Sequence, residues 1–75
     1  MNTVERVKKI LQEELHLDKI KDDAKQADHG EWDSMTYMSI VARVQDEFGV
    51  EATPENIESF GSVADIVREI GKKKN

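Results

Sequence analysis

Residues 30–49 read Gly30-Glu31-Trp32-Asp33-Ser34-Met35-Thr36-Tyr37-Met38-Ser39-Ile40-Val41-Ala42-Arg43-Val44-Gln45-Asp46-Glu47-Phe48-Gly49. Met35, Met38, Val41, Val44, Gln45 and Phe48 recur at three- and four-residue spacing, and Ile40 and Ala42 widen the stripe. That is the pattern of a helix with one buried face. Asp33 and Ser34 stand where a side-chain oxygen satisfies the orphan N–H groups of a first turn. Gly49 stands where the chain leaves a helix in the left-handed conformation. The spacing predicts a helix over 34–48, with Ser34 at its mouth.

Working outward from this helix, Val4, Val7, Ile10, Leu11 and Leu15 give a second apolar stripe, and Asn2 with Glu5 three residues later is a capping pattern, so a helix is expected over 3–16. Residues 17–33 show no sustained period and read as a long loop anchored by Leu17 and Ile20. On the other side, Val50-Glu51-Ala52 forms a short link, and Thr53 caps a brief helix over 54–60 with Pro54 at its first position. Ser62 and Asp65 repeat the capping pattern, and Val63, Ile66, Val67 and Ile70 are the apolar face of a last helix over 62–71, stopped by Gly71. Lys72-Lys73-Lys74 is expected to fray. No segment alternates with a two-residue period and no repeat occurs, so the expected fold is all-α: a small four-helix bundle with three longer helices and one short one.

Size and charge narrow the function classes. Seventy-five residues make one domain, 1–75, with a thin core and no room for a deep enclosed active site. The chain has no cysteine, so helix packing must supply the stability, and a reducing compartment fits. No apolar run reaches membrane-spanning length and the N-terminus lacks a signal-peptide pattern, so the expectation is a soluble, cytoplasmic protein that is not membrane-inserted. Of the net charge of -5, residues 22–60 hold ten acids against only Lys25 and Arg43. Such a middle repels a phosphate backbone and attracts basic protein surfaces, which excludes nucleic acid as the expected partner and favours steered protein docking. The same acids also serve to keep a small helical protein soluble.

Asp33-Ser34-Met35 resembles the Asp-Ser-Leu motif of the acyl carrier proteins, with Met in place of Leu, an apolar exchange of similar volume. Asp46-Glu47-Phe48-Gly49-Val50 resembles the end of that family's second helix. Thr53-Pro54-Glu55 and Ser62-Val63-Ala64-Asp65-Ile66 look like the starts of its third and fourth helices. The resemblance covers nearly the whole chain. It implies an acyl-carrier-type bundle in which a phosphopantetheine arm is esterified to Ser34 and carries acyl groups as thioesters between enzymes. The carrier itself does no catalysis. A phosphopantetheinyl transferase, which supplies the base and the magnesium, and acyl-loading ligase or transferase and synthase enzymes are the implied partners, and a monomer is expected.

The resemblance also assigns roles around the serine. Asp33 helps present Ser34 to the transferase and its metal, or is a helix cap, or both. Trp32 packs beside the arm, meets a partner, or pins the long loop. The docking surface implied on the second helix comprises Trp32, Met35, Thr36, Ser39, Arg43, Asp46 and Glu47. Arg43 discriminates among partners by charge or pairs with Glu47 four residues on. Met35, Met38 and Val41 line an acyl-chain groove under the resemblance, although a stripe at this spacing reads first as ordinary core. Thr36 and Ser39 stand where fatty-acid-synthesis carriers commonly have acids, and Arg43 adds a base. This departure points toward a specialised lipid, polyketide or polysaccharide pathway, with an aminoacyl, peptidyl or D-alanyl carrier as the alternative.

Other chemistries find little support. His29, Asp33 and Ser34 have the residue types of a nucleophilic triad but fall within six positions, with no nucleophile elbow around the serine. His16, His29 and the loop acids show no diagnostic metal-ligand spacing. The rival of another class is an unmodified helical interaction domain in which Asp33 and Ser34 only cap a helix.

Overall fold

The computed structural model describes residues 2–74, and they are all-helical apart from turns and one isolated bridge. Helix α1 spans Thr3–Leu15, a 3-10 turn spans Gln26–Asp28, helix α2 spans Ser34–Phe48 and helix α3 spans Val63–Lys74. Helix α1 packs against both α2 and α3. Its buried residues Val7, Ile10, Leu11 and Leu15 meet Ile40, Val41 and Val44 of α2 and Val63, Ile66 and Ile70 of α3 in one core, completed by Phe60, Val50, Ile20, Ala24 and Trp32.

Local chemistry sets most of the helix ends. The Asn2 side chain accepts the Glu5 N–H at 2.9 Å and starts α1, while His16 ends it in the left-handed conformation, an uncommon one for a side chain other than Gly or Asn. Gly49, at φ 69°, closes α2 by returning its N–H to the Gln45 carbonyl. The Ser62 hydroxyl accepts the Asp65 N–H at 3.0 Å in the first turn of α3.

Three expectations need correction. The helix expected over 54–60 is instead a run of turns. Asn56 explains why: its Oδ1 accepts the Thr53 N–H at 2.7 Å and its Nδ2 donates to the Glu51 carbonyl at 3.1 Å. This side chain offers the backbone an alternative to the helical ladder, and so short a segment cannot recover the cost of helix nucleation by itself.

The last helix does not stop at Gly71 but continues through Lys74. Lys72 reaches back 3.0 Å to Glu69, a carboxylate only 4% exposed, so the extra turn places a cation over a buried anion near a helix C-terminus.

On α2 the buried face is rotated from the expected one. Ile40, Val41 and Val44 are buried, with Tyr37 and Phe48 packed against them, whereas Met35 and Met38 are 82% and 53% exposed. Positions 37, 40, 41, 44 and 48 share the helical period that joins 35 and 38 to 41, so periodicity alone does not choose between the two faces.

The long loop is tied down at its end. The Gln26 N–H donates to the Gly61 carbonyl at 2.8 Å and the Val63 N–H to the Ala24 carbonyl at 3.0 Å, which fixes the loop to the entry of α3. The Gln26 side chain donates to the Trp32 carbonyl at 3.0 Å, and the Trp32 N–H donates to the His29 carbonyl at 3.0 Å. These bonds hold the residue immediately before Asp33-Ser34.

Candidate functional site

Asp33 is the N-cap of α2 and Ser34 its first helical residue. The Asp33 carboxylate accepts the Thr36 N–H at 2.9 Å, and the Asp33 carbonyl accepts the Tyr37 N–H at 2.8 Å. The Thr36 backbone bond is the main reason the Asp33 carboxyl is held below its ordinary range; the Thr36 hydroxyl comes next, and the Met35 N–H adds to both. The N–H groups of a first turn have no intrahelical acceptors, and the peptide dipoles make this end positive. Ser34 stands exposed at that end.

The groups beside Ser34 are engaged elsewhere. His29 Nδ1 lies 3.1 Å from Glu31 Oε1, and the Asp33 carboxylate faces Thr36 rather than the serine. The Glu31 carboxyl is held below its ordinary range, first by its own backbone N–H and then by His29. A serine needs an adjacent base to become a nucleophile, and neither His29 nor Asp33 hydrogen-bonds the Ser34 hydroxyl. Among the described residues no three His, Asp or Glu side chains converge as a metal site, and no helix is long and apolar enough to cross a membrane.

The residues expected on the docking surface fall into three environments. Met35, Ser39 and Asp46 are exposed and Thr36 is half-buried. Trp32 is buried at 2% exposure, so it offers no docking surface; its ring completes the core beneath the loop. Its Nε1 is buried without a hydrogen-bond partner among the described residues.

Arg43 and Glu47 are both committed to α1, and not to each other. Arg43 lies 2.7 Å from Glu13 and 3.4 Å from Glu14, and Glu13 chiefly pushes the guanidinium above its ordinary range. Glu47 lies 3.4 Å from Arg6, whose guanidinium stacks 4.3 Å over the Phe48 ring. The groove residues are likewise divided: Val41 belongs to the core, while Met35 and Met38 lie outside it.

Two side chains behind Ser34 escaped the sequence reading. Tyr37, one turn along α2, donates its hydroxyl to the Ile57 carbonyl and accepts the Phe60 N–H at 3.1 Å. Gln26 clasps Trp32 and Gly61 as described above. Tyr37 carried a weak signal, an aromatic within an amphipathic helix, whereas nothing local marks Gln26.

Comparison with known proteins identifies the family. The family described as phosphopantetheine attachment site matches residues 5–70. An acyl carrier protein of Zymomonas mobilis is 36% identical, with 97% of this chain and 96% of the relative aligned. An acyl carrier protein of Solidesulfovibrio magneticus is 33% identical, over 99% of this chain and 97% of the relative. No solved structure matches the chain significantly. A family match over most of the chain, together with relatives aligned along nearly their full lengths, shows that this chain belongs to the acyl carrier protein family, as a carrier rather than a catalyst, with phosphopantetheine as its covalently attached group.

Proposed function

We propose that the Ser34 hydroxyl is the attachment point of the phosphopantetheine, and that the chain delivers acyl groups from it to partner enzymes. The single observation that carries this reading is the position of Ser34: exposed, first in α2, at the positive end of a helix whose cap is Asp33. A phosphodiester there lies where the positive end of the helix dipole favours negative charge, so the residues fit the group. The attached arm supplies a terminal thiol that holds acyl groups as thioesters.

Attachment forms a bond from Ser34 Oγ to phosphorus and breaks the pyrophosphate P–O bond of coenzyme A. The nucleotide portion leaves, and the serine proton passes to a base of the transferase. The transferase brings that base and its magnesium, since neither His29 nor Asp33 bonds the Ser34 hydroxyl. The outer face of α2, with exposed Met35, Met38, Ser39 and Asp46 and half-buried Thr36, is the docking surface for the transferase and the acyl-handling enzymes. In this reading the chain works as a cytoplasmic monomer in a specialised lipid, polyketide or polysaccharide pathway.

Incubation with coenzyme A, magnesium and a broad-specificity phosphopantetheinyl transferase, followed by intact mass measurement, tests the reading. The expected result is a gain of one phosphopantetheinyl group that is absent in Ser34→Ala. An equal gain in both proteins would reject Ser34 as the site.

A further inference from the structure

The loop that leads to Ser34 borders a half-open cavity of about 660 Å³, lined by Lys19, Ile20, Lys21, Asp23, Ala24, Asp28 and His29. Ile20 and Ala24, members of the core, give it an apolar floor. The rim holds two lysines, two aspartates and a histidine, so acids and bases nearly balance. Among the described residues, ion pairs engage only His29 of these rim groups, with Glu31. The size is that of a small-molecule site, with a small apolar floor beneath a mostly charged rim.

A second cavity, of about 430 Å³, lies between α1 and α2 and differs in kind. Of its lining residues, Arg6, Glu13, Arg43 and Glu47 are already joined in ion pairs across the helices. Its α2 residues Arg43 and Glu47 lie nine and thirteen residues along the helix from Ser34, about 14 and 20 Å at 1.5 Å per residue. The loop cavity is within comparable reach. His29 precedes Ser34 by five residues, a span of at most about 18 Å even for a fully extended chain.

Resting on the assignment of Ser34 as the attachment point, we propose that this loop cavity is the resting site of the pantetheine part of the arm. Beyond its phosphate the arm is uncharged: a geminal dimethyl group, a hydroxyl and two amides. The dimethyl group suits the floor of Ile20 and Ala24. The amide carbonyls and N–H groups suit the lysine and aspartate side chains of the rim, and an uncharged chain suits a rim of balanced charge. The phosphate stays at the N-terminus of α2, so one loop serves both parts of the group. Gln26, by tying the loop to Gly61 and Trp32, keeps the cavity in register with the attachment point.

The test uses isotope-labelled full-length chain carrying an arm transferred from unlabelled coenzyme A, with complete modification established by intact mass. Isotope-filtered NMR then reads contacts between the unlabelled arm and the labelled chain. Cross-peaks from the geminal methyl groups to the methyl groups of Ile20 and Ala24 are expected, with none to Lys9 or Glu13 in the other cavity. A fully modified protein whose arm gives no cross-peaks, or gives them only to Met35 and Met38, overturns the proposal while leaving the attachment at Ser34 intact. Absence of any mass gain overturns both.

Discussion

The Tyr37 hydroxyl accepts the Phe60 N–H at 3.1 Å, joining the helix that begins at Ser34 to the irregular segment before α3. The same hydroxyl donates to the Ile57 carbonyl. Residues 53–60 form no helix, so these two backbone groups lack helical partners and a side chain from α2 supplies them instead. Tyr37→Phe removes both bonds while keeping the ring. The expected loss is about 1 kcal/mol, which lowers Tm by about 4–8 °C in a domain of this size. Thermal unfolding followed by circular dichroism measures it, and an unchanged Tm would show that water replaces the hydroxyl at no cost.

Tyr37 also makes stability depend on alkaline pH. Burial raises its pKa above the ordinary value of about 10, with Glu58 and Asp65 pushing in the same direction against the Phe60 hydrogen bond. The neutral phenol is therefore favoured in the folded state. Its contribution is complete below the unfolded pKa and is lost as pH rises through the folded one. Denaturant titrations at neutral pH and above pH 10 should show a decline that is smaller in Tyr37→Phe.

Asp33 caps α2, and two substitutions separate that structural role from the proposed one toward the transferase. Its folded pKa is lowered, so its contribution is present above the unfolded value and is lost as pH falls through the folded one. Asp33→Ala removes the cap and lowers Tm, whereas Asp33→Asn keeps an equivalent cap and changes Tm little. If the carboxylate serves the transferase and its metal, Asp33→Asn still slows phosphopantetheinylation. Wild-type modification rates in Asp33→Asn would reduce Asp33 to a cap.

Trp32 is a core residue next to the site, so its loss is felt in folding first. Truncation to Ala costs about 3–5 kcal/mol, a large share of the roughly 5–15 kcal/mol that holds a small domain folded. Loss of the helical circular dichroism signal in Trp32→Ala at room temperature, or a sharply lowered urea midpoint, is the expected outcome. The buried ring of the wild-type protein should fluoresce at short wavelength and shift to the red on unfolding.

The pairing of Arg43 with Glu13 and Glu14 contributes about 1 kcal/mol or less. The side chains are partly exposed, so salt screens the interaction. Arg43→Ala should lower the urea midpoint at low ionic strength and have a smaller effect at high salt. An undiminished effect at high salt would mean that the aliphatic stem, and not the charge, provides the stability.

The readable parts of this chain were those fixed by neighbouring residues. Asn2, Gly49 and Ser62 mark helix ends because each acts on backbone within four residues, and the stripes of α1 and α3 have only one apolar face to bury. On α2 the stripe was ambiguous: Met35 and Met38 share the period of the true core face, and packing against α1 resolves the choice in favour of Tyr37 and Ile40. Thr53-Pro54 is a sound helix start, but the Asn56 side chain redirects the backbone that follows. Arg43 with Glu13, Arg6 with Glu47, and Gln26 with Gly61 are contacts between distant parts of the chain, and no local pattern records them. The position of Ser34 at the mouth of α2 was legible because capping is local; the cavity in the preceding loop was not, since no local pattern joins the residues that line it.

The central claim is that one particular hydroxyl carries the arm. Residues 26–43 form a single tryptic peptide containing Ser34, Thr36, Tyr37 and Ser39. Tandem mass spectrometry of that peptide from the modified protein should place the whole phosphopantetheinyl mass on Ser34. Fragment ions that place it on Thr36 or Ser39, or a modified peptide from elsewhere in the chain, would contradict the account.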